Sequence, residues 1–95
     1  MKILKILRKK WLTHRVYKYT LKYSDALSKS KYHKELSEKY LESALWYEYV
    51  YFKGCYHSLE RYHNCQEHKV KSEHFKTLAD IYLSKKNDLE KNCNL

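Results

Sequence analysis

No proline interrupts this chain of 95 residues, and its one glycine is Gly54. Tight turns draw on those two residue types, proline for its fixed φ and glycine for its access to positive φ, so this chain has few means of reversing direction. β-branched residues are sparse as well, with three Ile and three Val. The sequence therefore predicts an all-α fold. Its length suits one domain, spanning 1–95, near the size where a single core only just suffices, and a homo-oligomer is expected on that ground.

Residues 36–62 are the most apolar stretch. On a 3.6-residue period Leu36, Tyr40, Ala44, Tyr47, Tyr51, Cys55, Leu59 and Tyr62 form one stripe, and Leu41, Leu45, Tyr49, Phe52 and Tyr56 widen it past half the circumference. A helix that apolar needs at least two packing partners. The expected architecture is a small antiparallel bundle of three helices, roughly 3–27, 32–63 and 65–91, around a long tyrosine-rich central helix. The first break is placed within residues 24–31, where Ser28 or Ser30 offers an N-cap. The second is placed at Asn64, which with Glu67 has the form of a capping box. Gly54 costs a helix about 1 kcal/mol relative to alanine, and the central helix is expected to run through it. The third helix carries Lys71, Phe75, Leu78, Tyr82 and Leu89 beside Ala79 and is expected to pack antiparallel on the central one. Glu48 falls inside the apolar arc and requires a partner such as a tyrosine hydroxyl.

Charge is unevenly spread along the chain. The net charge is +9, yet residues 1–34 hold nine Lys and two Arg against one Asp, whereas residues 35–52 hold four Glu against one Lys. The first third thus makes a field that an acidic partner would feel. Within it Arg8, Arg15, Lys22 and Lys29 recur at seven-residue spacing with Lys18 alongside. On a helix that spacing is about 10.5 Å, short enough for long cationic side chains to follow a phosphate backbone or an acidic ridge. These five are the candidate nucleic-acid or phosphate ligands. Trp11, Tyr19 and Tyr23 lie among them as stacking residues, and Trp46 with Arg61 forms a second aromatic and cationic anchor on the central helix. The eleven tyrosines equally suit ordinary packing with the ring hidden and the hydroxyl wet.

Several chemistries find no support. Cys55, Cys65 and Cys93 are an odd number in no disulfide framework, and the N-terminus lacks the long apolar run and small-residue cleavage site of a secretory signal, so a reduced, cytoplasmic protein is expected. No run reaches the ~18–20 apolar residues of a membrane span, and a membrane partner is not expected. The densest titratable cluster, Cys55, His57, Glu60, His63, Cys65 and His68, is spaced C-x-H-x5-H-x-C, which does not close a tetrahedron on one helix. No metal, no cofactor and no enzymatic activity are expected, because a Gly-rich phosphate loop, a serine elbow and a paired-cysteine motif are all missing. Arg8-x5-His14 and Arg61-x6-His68 are loosely similar to the R-x4-6-H spacing of the helical HEPN ribonucleases. Chance alone gives roughly 0.6 such matches in a chain of this make-up, and a nuclease of that kind ranks third among the functions considered.

The expected function is that of a small basic binding protein that engages nucleic acid or a phosphate-containing nucleotide through its first helix. The alternative, of another class, is an inhibitor or adaptor of the phage or mobile-element type that docks on an acidic surface of a host protein.

Overall fold

The structure, a computed structural model, describes residues 2–93, with side chains through Lys91; the Cys93 side chain lies outside the described residues. It is all-helical, with α1 spanning Lys2–Val50 and α2 spanning Tyr56–Cys93. This corrects the three-helix bundle to two helices, and each misplaced boundary has a local cause. Residues 24–31 contain nothing that breaks a helix, and α1 continues through them. Ser30 is not a cap there; it is buried and donates its hydroxyl to the Ser72 carbonyl at 2.9 Å. Asn64 and Glu67 lie well inside α2, where the Glu67 carboxylate sits 3.6 Å from Nε2 of His63, one turn back.

Among the described residues the break falls at Gly54, which the expected continuous helix ran through. Its φ is +84°, a conformation that side-chain-bearing L-residues avoid, and nothing lies within 4 Å of where a Cβ would stand. The glycine is thus required by the backbone and not by crowding. The Cys55 amide reaches the Phe52 carbonyl at 3.3 Å across the turn, and the Leu59 amide reaches the Cys55 carbonyl at 3.0 Å. Cys55 is therefore the N-cap of α2.

The chain divides into two compact units, residues 1–27 with 76–95 and residues 28–75. In the second, the α1 and α2 segments run antiparallel and touch through small residues spaced by seven: Ser30, Ser37 and Ala44 on one, Ser58, Cys65 and Ser72 on the other. Ser30 and Ser72 exchange hydroxyl-to-carbonyl hydrogen bonds, both 2.9 Å, and Ser37 donates to the Cys65 carbonyl at 3.0 Å. A short hydroxyl reaches a facing carbonyl only when the backbones come close, which small side chains permit. A seven-residue repeat keeps that seam facing its partner along the pair. In the first unit Leu12, Ala26 and Ala79 are buried, and the Tyr19 and Tyr82 rings meet at 6.2 Å. Residues 76–91 thus pair with the start of α1, not with the expected central helix.

The broad apolar arc is only partly covered. Ala44 is fully buried and Tyr40 and Tyr47 half-buried, but Leu41, Leu45, Tyr49, Phe52, Tyr56 and Leu59 are exposed. With a single helix as neighbour and small residues at the contact, the large side chains are left outside. Glu48 has the tyrosine partner that its position demanded: Tyr62 donates to its carboxylate, and burial followed by that negative charge holds the Tyr62 hydroxyl above its ordinary pKa. No helix among the described residues is long and apolar enough to cross a membrane.

Candidate anion-binding edge

The predicted basic stripe separates into groups when placed on the structure. In the first unit Arg15 is half-buried, with its guanidinium 5.6 Å from the Trp11 ring centre and 5.4 Å from that of Tyr19. It also donates to the Tyr19 hydroxyl at 3.2 Å, while its Nε is buried with no hydrogen-bond partner. The Lys22 ammonium stands 5.4 Å from the Tyr19 ring and 5.7 Å from that of Tyr82. Lys85, from α2, completes the group at 5.8 Å from Tyr19. Three cations from two helices therefore surround one tyrosine.

Helical spacing explains the convergence. Arg15, Tyr19 and Lys22 follow each other at steps of four and three on one side of α1. Tyr82 and Lys85 stand three apart on α2, and the antiparallel register brings them opposite. Ring faces carry negative potential, so each cation gains from the aromatic surface it covers. That gain does not neutralise charge, and among the described residues none of the three forms an ion pair with a carboxylate. The three cations share one aromatic surface, and the phenol hydroxyls of Tyr19 and Tyr82 add hydrogen-bonding capacity beside them.

The other candidates lie apart from this group. Arg8 and Lys18 are exposed and make none of the ring contacts, and Tyr23 is half-buried without one. Lys29 belongs to the second unit, 5.6 Å from the Phe75 ring, and has a further interaction. Trp46 and Arg61 are also in the second unit and are joined through Tyr47: the Trp46 ring meets it edge-on at 5.0 Å and the Arg61 guanidinium lies 5.4 Å from it. His57 stacks on Tyr47 at 5.0 Å. Lys85 and Tyr82 were missed as site residues. The signal for them was the row Phe75, Tyr82, Leu89 at seven-residue spacing, with a lysine three residues after the tyrosine.

The titratable cluster on α2 disperses. Cys55 donates its thiol to the Tyr47 carbonyl at 3.8 Å, Cys65 lies 3.3 Å from the Ser37 hydroxyl, and His68 meets His33 with 2.9 Å between their Nδ1 atoms. Among the described residues no three His, Cys, Asp or Glu side chains gather as a metal site. Burial pushes the Cys55 thiol up, but hydrogen bonds from the Ser58 backbone and hydroxyl, with backbone groups of Phe52 and His57, outweigh it and leave the thiol below its ordinary pKa. No family model, curated protein or solved structure matches the chain, so the chemistry of this edge rests on its own residues.

Proposed function

We propose that this is a non-enzymatic binding protein that takes nucleic acid, or another phosphate-bearing ligand, against Arg15, Lys22 and Lys85. The observation that carries the proposal is the convergence of these cations on Tyr19, none of them in an ion pair with a carboxylate among the described residues. A phosphate supplies an opposite charge, and a base supplies a ring to lie beside Trp11 or Tyr19. Binding of labelled single-stranded RNA, single-stranded DNA and duplex DNA, followed by anisotropy across a salt series, tests it. Log K should fall steeply with log salt, and Lys22→Glu with Lys85→Glu should weaken binding at least tenfold while helicity is unchanged. Undiminished binding by the double variant, or no binding at low salt, overturns the proposal.

The second reading, an adaptor or inhibitor that docks on a host protein, is favoured by the exposed Trp46 beside Tyr47 and Arg61, since tryptophan, tyrosine and arginine are the usual anchors of protein interfaces. Absence of nucleic-acid binding at low salt in the same experiment shifts the weight to it.

A further inference from the structure

We propose that residues 2–11 of α1 are a membrane-surface segment, which lays Ile3, Leu4, Leu7 and Trp11 into the headgroup boundary of an anionic bilayer while Arg8 and Lys10 meet lipid phosphates at its two borders. All of these residues belong to the first unit. Each of the four apolar side chains is more than half exposed, Ile3 and Leu4 at 71%. On a 3.6-residue period they fall in one sector about 100° wide, with Arg8 beyond one border and Lys10 beyond the other. Lys2, Lys5 and Lys9 occupy the far side, with exposed Ile6 next to them. Leu12, about 130° round from the middle of the apolar sector, is buried, so the contact with α2 uses a different side of the helix. His14 and Lys18 close the sector, which confines it to about three turns.

The composition of this stretch selects the occupant. Five of its ten residues are Lys or Arg and none is acidic, the first acidic residue of the chain being Asp25. The other acidic groups of the unit, Asp80, Asp88 and Glu90, are on α2, and Lys86 holds Glu90 at 3.4 Å. A nucleic-acid strand meets the cations but gives the aliphatic side chains nothing to bury against. The same stretch of a second copy covers the aliphatic groups but sets cations against cations, a like-charge contact that interfaces penalise. An anionic bilayer answers both needs. Acyl chains take up the apolar sector, and phosphates pair with the cations at its rim, reached by the long Lys and Arg stems. Stable surface binding takes two signals, such as an apolar group and a basic cluster, and both are present here. The length of apolar run tests for spanning alone, whereas a helix lying in the surface needs one apolar face. Arg15, Lys22 and Lys85 take no part, so the inference stands apart from the anion-binding proposal.

Co-sedimentation of the full chain with vesicles tests it, using phosphatidylcholine alone and phosphatidylcholine with about 30% phosphatidylglycerol. Binding to the anionic vesicles should be at least tenfold tighter than to the neutral ones. A basic chain adsorbs to an anionic surface by charge alone, so the deciding variant is Leu4→Gln with Leu7→Gln, which leaves every charge in place and alters only exposed positions. It should bind the anionic vesicles at least tenfold more weakly with helicity unchanged. In a Trp46→Phe background Trp11 is the only tryptophan, and its emission should shift to the blue on anionic vesicles. Failure to bind anionic vesicles, equal binding by the double variant, or an unshifted Trp11 emission overturns the inference. A stretch that serves nucleic acid instead gives the second and third of these results.

Discussion

His33 and His68 meet ring to ring across the helix pair of the second unit, with centroids 5.1 Å apart and Nδ1 atoms at 2.9 Å. A single Nδ1–H between the two nitrogens makes a hydrogen bond. Burial first, then the charges of His68 and Lys71, hold His33 below its ordinary value of 6.5. The folded state therefore binds fewer protons here than the unfolded state, and stability is fully present above about pH 6.5 and lost as pH falls toward the lowered folded pKa. The urea midpoint should be lower at pH 5 than at pH 7.5. His33→Phe, which keeps a ring against Phe75, should flatten that dependence relative to the parent; an equal slope in the two proteins would refute the assignment. Neither histidine was singled out as a pair beforehand, because residues 33 and 68 belong to separate helices and only the antiparallel register joins them.

The two helices were legible as helix and illegible as boundaries. Proline-free sequence leaves α1 nothing to stop it until the turn of residues 51–55, and propensity alone does not distinguish Ser30 capping a helix from Ser30 bonding across one. Gly54 was weighed as a cost within a continuous helix, whereas its φ of +84° makes it the residue on which the reversal depends. Gly54→Ala should destabilise the protein by about 1 kcal/mol through backbone strain alone, since no atom lies within 4 Å to clash, and Gly54→Asn should cost less. Urea unfolding measures both, and an alanine variant as stable as the parent would show that the turn tolerates another conformation. The seam itself escaped because it is built of serine, alanine and cysteine. Periodicity was sought among large apolar residues, and those stand largely outside the contact.

Taken as one molecule, the protein keeps its chemistry on outer surfaces and little in its core. A stable pair of helices with so few large buried side chains among the described residues should owe part of its folding free energy to association, so its melting temperature should rise with protein concentration. Thermal melts at concentrations a hundredfold apart check this, and a concentration-independent midpoint would mean that the monomer is stable unaided.

Helical content, the concentration of positive charge in the first third and the basic repeat Arg8, Arg15, Lys22 and Lys29 follow from the order of residues, because helix propensity, charge and spacing are local properties. How many helices there are, which half of α1 pairs with which half of α2, and that Lys85 joins Arg15 and Lys22 at Tyr19 follow from the antiparallel register. That register is decided by small residues that face each other only after Gly54 turns the chain, and contacts between residues so far apart in sequence leave no local pattern to read.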